Sequence, residues 1–319
     1  MKYLLVDTSN MFFRARHVAA RGADSWSKVG MSLHITFNAL LKVWRQTKPD
    51  HVIFCLEARS WRKDHTVTYK LNRQEAKDAM SKTQAEEDKL FWETYDEFVK
   101  WLDSNTCATV ARCDTAEADD LIARWISNHP DDTHIICSTD SDFYQLLAPN
   151  VTIENGVTNQ TIRLDGFYDE KGKPVIDKKT KEHKVPGDPK WILFEKIMRG
   201  DATDNVFSAY PGVRTKGTAK KVGLLEAFED RNNKGFAWNN MMLQRWTDHE
   251  GVEHRVLDCY ERNKTLIDLS AQPADIKQRI DAYLLGISPK QVPMVGAKFL
   301  KFCGKFELER LSQNAQQIA

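Results

Sequence analysis

Tyr3-Leu4-Leu5-Val6-Asp7-Thr8-Ser9-Asn10 opens the chain with an apolar run closed by an acid, and the same arrangement returns twice. Val52 to Leu56 is followed by Glu57, and Ile135-Ile136-Cys137 by Ser138-Thr139-Asp140-Ser141-Asp142. Short apolar runs bounded by polar residues read as buried strands. Helical patterns separate them, from about Leu33 to Trp44, through a long region ending near Leu102, and from Ala116 to Ser127, with a weaker strand near Thr106 to Arg112. This alternation predicts an α/β fold with a mostly parallel sheet flanked by helices on both faces. Acids at the carboxyl ends of parallel strands converge on one sheet edge, where open α/β folds bind ligands.

Charge directly after a buried strand is costly unless it is paired or bound to metal, which singles out Asp7 and Glu57. In Asp114-Thr115-Ala116-Glu117-Ala118-Asp119-Asp120, Ala118, Leu121, Ile122, Trp125 and Ile126 form one apolar helical stripe. Glu117 and Asp119 flank that stripe, and Asp120 is expected to point away from it. Asp140 and Asp142, two residues apart in a turn, can reach adjacent ions. Asp201 and Asp204 in Gly200-Asp201-Ala202-Thr203-Asp204-Asn205 fall on one side if they share a helical turn. Any one of these segments alone could be a helix cap or a solvated helix end. Together they predict a site for hard divalent cations, since donor sets made only of oxygen favour Mg²⁺ or Mn²⁺. Two such ions about 3.5–4 Å apart can activate water, hold a phosphate and stabilise the leaving oxygen. The expected chemistry is therefore phosphodiester hydrolysis.

The bulk composition agrees. With 319 residues, 41% hydrophobic and 29% charged, the chain fits a globular protein of one large or two ordinary domains. The formal charge is only +1, but setting aside the nine acids of the constellation leaves 46 basic against 36 acidic residues, the excess expected of a surface that tracks phosphate. Six scattered cysteines without a Cys-x-x-Cys pair argue against a disulfide framework or a zinc knuckle. The absence of long apolar runs and the strand-like amino terminus argue against membrane insertion and a signal peptide. The expected location is cytoplasmic.

Two further regions stand out. Between about 58 and 93, Arg59, Arg62, Lys63, Lys70, Arg73, Lys77 and Lys82 form a basic stripe, with Trp61 and Tyr69 as expected stacking surfaces. Residues 160–188 break the α/β alternation with glycines, prolines and lysines and read as a charged hairpin or loop excursion. A domain boundary is placed here, dividing 1–188 from 189–319. Asp188-Pro189 should cap a helix running through Met198 that Gly200 can end, and the remainder reads as helical.

In this order the motifs resemble the flap endonuclease (5′ nuclease) family, most closely its bacteriophage RNase H branch. The matching pieces are Val6 to Asn10, Leu56-Glu57 with Trp61-Arg62, Tyr69 to Arg73, Glu117 to Asp120, Ser138 to Phe143 and Gly200 to Asn205. The resemblance implies a PIN-like nuclease domain over 1–188 and a helical arch at about 58–93 that takes the free 5′ strand. It also implies a helical DNA-binding region over 189–319, with a helix-three-turn-helix at about 200–228. By the same resemblance Asp7, Glu57, Glu117, Asp119 and Asp140 hold a first ion, Asp142, Asp201 and Asp204 complete a second, and Asp120 aligns with a further acid. The family usually has aspartate where Glu57 stands. Lys70 and Arg73 are implied to steer the scissile phosphate. Arg62, Lys63, Tyr69, Gly212, Val213, Gly217, Thr218, Lys220 and Lys221 are implied DNA contacts, the last six clasping duplex phosphates through a Gly-rich turn with lysines behind it.

The expected activity is thus a structure-specific 5′ to 3′ nuclease, monomeric and dependent on two Mg²⁺ or Mn²⁺ ions, that removes RNA primers and 5′ flaps in DNA replication. Its substrates would be branched or 5′-ended duplex DNA and RNA–DNA hybrid. A single-strand-binding protein or clamp is an expected partner, and the setting would be the host cytoplasm if the protein is phage-encoded. Two other readings compete with it. A PIN-type endoribonuclease shares the acidic core but usually lacks the basic arch and the Gly-rich extension, and a non-catalytic branched-DNA-binding module would not need an intact acid set.

Overall fold

The computed structural model describes residues 1–19 and 24–313. The chain runs β1 (Lys2–Asp7), α1 (Thr8–Val18), α2 (Ser25–Thr47), β2 (His51–Cys55), α3 (Arg62–His65), α4 (Leu71–Asp78), α5 (Lys82–Asn105) and β3 (Thr109–Ala111). It continues through α6 (Ala118–Asn128), β4 (Thr133–Cys137), a 3₁₀ turn (Ser141–Leu146), β5 (Val151–Asn155), β6 (Gln160–Arg163) and β7 (Gly166–Tyr168). Then follow α7 (Pro189–Arg199), α8 (Leu224–Asp230), α9 (Phe236–Met242), β8 (Arg245–Thr247), β9 (Glu253–Arg255), α10 (Val256–Ile267), α11 (Ala274–Leu285), α12 (Val295–Lys305) and α13 (Glu309–Ser312).

A seven-stranded sheet of order β3-β2-β1-β4-β5-β6-β7 carries the first part of the fold, as the apolar runs predict. The five strands from β3 to β5 are parallel, and β6 and β7 add antiparallel edges. Leu4, Leu5, Val6, Ile53 and Ile136 are all buried, which is why these strands lack polar alternation. β1 lies between β2 and β4, so strand order reverses at its carboxyl end. Open α/β sheets bind ligands at such a switch point, and Asp7 occupies it.

Compactness divides the chain into two units. The first comprises Met1–Ser60, Ala79–Pro186 and Ala274–Ala319, and the second Trp61–Asp78 and Gly187–Pro273. In the first unit, Phe91, Tyr95, Phe98 and Leu102 recur at helical spacing along α5 and join Val6, Phe12, Leu33, Phe37 and Phe54. Phe299 and Phe302 of α12 complete that core. The Arg124–Asp281 pair at 2.6 Å ties α6 to α11. The last residues of the expected carboxyl-terminal region, 314–319, lie outside the described residues.

The second unit has its own core, with Phe194, Met198, Leu224, Trp238, Met241 and Val256 in one cluster and Tyr69, Ile197, Val206, Leu266 and Ile267 in another. Asp188 caps α7 by accepting from the Lys190 amide, Pro189 stands in its first turn, and Gly200 ends it at φ 77°. The expectation of helix throughout this region needs correcting. Residues 200–223 form irregular turns, and β8 pairs with β9 as a short antiparallel hairpin. Among the described residues no helix is long and apolar enough to cross a membrane.

Candidate active site

Asp7 ends β1 and at the same time caps α1, its Oδ1 accepting from the Asn10 amide at 3.3 Å. Its other oxygen accepts from Ser138 Oγ at 2.9 Å, a residue that directly follows β4. Asp7 is 6% exposed. Burial first, then the charge of Glu57 and more weakly that of Asp140, push this carboxyl up to about 7, against the pull of its hydrogen bonds from Ser138 and Asn10. Asp7, Glu57 and Asp140 therefore share one electrostatic environment, and without a cation they repel one another.

Glu57 is exposed; its oxygens accept from Ser9 Oγ at 3.5 Å and from the Ala118 amide at 3.3 Å, which links the ends of β1 and β2 to the start of α6. Asp140 caps the 3₁₀ turn, its Oδ1 accepting from the Asp142 amide at 2.9 Å. Asn10 Oδ1 accepts from both the amide and the hydroxyl of Thr139, holding the loop after β4 against α1.

Glu117, Asp119 and Asp120 each offer a carboxylate oxygen within 4.8 Å of the others. Glu117 is buried and accepts from Ser60 Oγ at 2.9 Å. Asp120, expected to point away from the apolar stripe, is instead fully buried. It closes a capping box by accepting from the Glu117 amide at 3.2 Å. Helical periodicity sets Asp120 opposite the apolar stripe, but a cap folds its third residue back over the helix start.

These seven acids all belong to the first unit. Asp201 and Asp204 belong to the second, where they sit in a turn closed by mutual backbone bonds between Asp201 and Val206, not on a helical turn. They take different partners. Lys196 Nζ lies 2.8 Å from Asp201. Burial pushes the Asp201 carboxyl up, but Lys196 and Thr203 outweigh it and hold the group below the usual carboxylate range. Asp204 accepts from Tyr69 Oη at 2.9 Å and from Arg73 Nη2 at 2.5 Å, with Lys70 Nζ at 3.6 Å. The Lys70 amide donates to the Asp204 carbonyl, and the side chains of Asn72 and Asn205 add further bonds across the same joint. Lys70, at φ 56°, and Asn205, at φ 57°, both adopt left-handed backbone there.

Two expected nucleic-acid contacts are not surface groups. Arg62 is fully buried, its Nε donating to the Leu266 carbonyl at 2.8 Å, and Tyr69 is 2% exposed in an apolar cluster. Trp61 is buried as well, so neither aromatic ring offers a stacking face. A basic stripe read from sequence registers charge but not the packing that draws a guanidinium inward. Lys63 and Arg73 are exposed, and α4 buries none of its residues.

In the Gly-rich turn, Gly212 (φ 73°) is exposed and open around its Cα, and Val213 is half-buried. Thr218 Oγ1 accepts from the amides of Lys220 and Lys221, whose side chains are exposed. The amide of Gly217 donates to the Glu226 carboxylate at 3.1 Å, and that of Gly223 does so at 2.9 Å. Glu226 therefore already occupies part of the anion-binding backbone expected to meet phosphate. Sequence reasoning missed Glu226 and Ser60, and it names Asn10 and Ser138 only as parts of motifs. Ser60 and Ser138 act by hydrogen bonding to acids distant in sequence, Asn10 also by accepting from the distant Thr139, and Glu226 by accepting from amides of its own turn; nothing in composition marks such pairings.

Comparison with known proteins adds independent information. The family description "5′-3′ exonuclease, N-terminal resolvase-like domain" matches residues 2–178. DNA polymerase I of Rhizobium leguminosarum is 24% identical over 331 residues, an alignment covering 98% of this chain and 28% of that protein. The chain thus spans little more than a quarter of that relative's length. The T5 5′-exonuclease with bound zinc ions shares 18% identity at a TM-score of 0.62, covering 90% of this chain and 99% of that one. The bacteriophage T5 D15 flap endonuclease, in a pseudo-enzyme–product complex with DNA and metal ions, shares 18% identity at a TM-score of 0.59, covering 89% and 98%. At this identity the structural likeness concerns the fold.

Proposed function

Because the chain belongs to the 5′-3′ exonuclease family, we propose that it is a structure-specific 5′ to 3′ nuclease that hydrolyses phosphodiesters with divalent cations and removes RNA primers and 5′ flaps from replicating DNA. The observation that carries this reading is Asp7, a buried carboxylate at the sheet's switch point, raised to about 7 by burial and by Glu57 and Asp140. A set of oxygen donors gathered around a buried carboxylate, with like charges close together, fits hard cations such as Mg²⁺ or Mn²⁺. The relatives of known structure that bind metal or DNA support the extension to this chain.

Asp7, Glu57, Glu117, Asp119 and Asp140 are the proposed ligands, with Asp120 and Asp142 beside them. When bound, two such ions would supply an activated water and charge stabilisation of the scissile phosphate. The chain's own groups do the positioning. Ser138 and Asn10 fix the Asp7 carboxylate, Ser60 fixes Glu117, and the Asp120 cap sets the start of α6. In the second unit Asp204, steadied by Tyr69, holds Lys70 and Arg73 as a pair of cations fit to take a phosphate. Single-turnover digestion of matched 5′-labelled flap, nicked and RNA-primed duplexes tests the proposal. Mg²⁺-dependent products released from the 5′ end are expected, whereas uncut duplexes beside internal cleavage of a single-stranded RNA run in parallel, or no cleavage at all, would refute it.

A further inference from the structure

Phe207 is 60% exposed, three residues beyond Asp204 in the second unit, and its surroundings hold it in place. The preceding Val206 is bonded in both directions to Asp201, and a Cβ on Gly200 would meet the Val206 carbonyl at 2.3 Å, so the backbone here is closely packed. One side of the Phe207 ring meets Trp246, at 5.6 Å between centroids and 32° between planes. Trp246 is itself anchored, its Nε1 donating to the Ala209 carbonyl at 3.0 Å and its ring stacked with His254 at 4.5 Å.

Beside the Phe207 carbonyl stands a cation. The side chain of Asn263 is fully buried and links the two: its Nδ2 donates to the Phe207 carbonyl at 2.7 Å, and its Oδ1 accepts from Arg262 Nη2 at 2.9 Å and from Nε at 3.1 Å. Arg262 Nη2 lies 3.4 Å from the same Phe207 carbonyl. Among the described residues no carboxylate forms an ion pair with Arg262. One buried amide thus fixes both the backbone that carries an exposed aromatic ring and an arginine without an acidic partner among the described residues. This is more order than a scattered surface phenylalanine requires.

We infer that Phe207 and Arg262 form a nucleotide-sized stacking site, in which Phe207 takes the face of an unpaired base and Arg262 the phosphate beside it. A single phenyl ring offers the area of one base, and bases within a duplex have no free face, so the occupant is single-stranded nucleic acid rather than duplex. The inference rests on the proposal that nucleic acid is the substrate.

The test uses the full chain in EDTA, with anisotropy titrations of a single-stranded DNA oligonucleotide and of a dumbbell duplex without ends. Phe207→Ala should weaken single-strand binding about tenfold and leave the dumbbell unchanged, with Phe207→Trp restoring the affinity. Arg262→Ala should flatten the single-strand salt slope by about 0.7. Single-strand affinity within twofold of the parent for Phe207→Ala, or equal losses on both probes, would overturn the inference. Wild-type cleavage of a 5′-ended duplex in Mg²⁺, measured in parallel, separates the two claims. Cleavage with binding indifferent to Phe207 sinks only the stacking site, and Phe207-dependent binding without cleavage sinks only the nuclease reading.

Discussion

Replacing Asp7 with Asn should stabilise the protein when divalent ions are absent. The Asp7 carboxyl rises from 3.8 to about 7 on folding, chiefly through burial and then through Glu57. A raised carboxyl binds its proton more tightly in the folded state, so its contribution is fully favourable below the unfolded pKa. That contribution is lost as pH climbs toward 7. At pH 8 the whole penalty applies, on the order of 4 kcal/mol, and at pH 5.5 roughly half of it. Asp7→Asn removes the charge, and its amide oxygen can still accept a hydrogen bond from Asn10 or Ser138. Urea denaturation in EDTA, followed by tryptophan fluorescence, should show the variant more stable than the parent by several kcal/mol at pH 8 and by about half as much at pH 5.5. Addition of Mg²⁺ should reverse the order at pH 8, because only the parent keeps the proposed ligand. A variant that is less stable in EDTA at pH 8, or a difference that does not change with pH, would refute the claim that burial and the neighbouring acids hold the Asp7 carboxyl up.

Joint replacement of Lys70 and Arg73 by Ala should slow single-turnover cleavage by about a hundredfold or more while metal affinity holds; an unchanged rate would exclude them from handling the scissile phosphate. Arg62→Ala should destabilise the second unit by about 3 kcal/mol, because it leaves the Leu266 carbonyl unpaired and a void in packed surroundings. If Arg62→Ala instead left unfolding untouched and flattened the salt dependence of DNA binding, the buried assignment would be wrong. Lys220→Ala with Lys221→Ala should weaken duplex binding evenly across sequences and reduce its salt slope by about 2. A slope that stays the same would remove those lysines from the interface.

Much of the first unit was legible because strands buried on both faces appear as uninterrupted apolar runs, and Val6, Leu56 and Cys137 mark where those runs stop. The acids after them could be read as one site because parallel strands send their carboxyl ends to the same edge. What stayed hidden depended on tertiary partners. Arg62 looks like a surface cation until the Leu266 carbonyl receives it, and Asp120 looks turned away from the apolar stripe until the α6 cap closes over it. The strands Arg245–Thr247 and Glu253–Arg255 are too short and too charged to carry a period-two signal. The run Val295–Lys305 carries a helical apolar stripe, yet nothing local says that Phe299 and Phe302 pack with Phe37 in the first core.

The central claim is that the acids at the switch point form a binding site for divalent cations. Anomalous scattering from crystals grown with Mn²⁺ tests it most directly. Density is expected among the carboxylates of Asp7, Glu117, Asp119 and Asp140, and its loss is expected in crystals of Asp7→Asn. Crystals whose anomalous peaks all lie elsewhere, with that basin empty at saturating Mn²⁺, would contradict it.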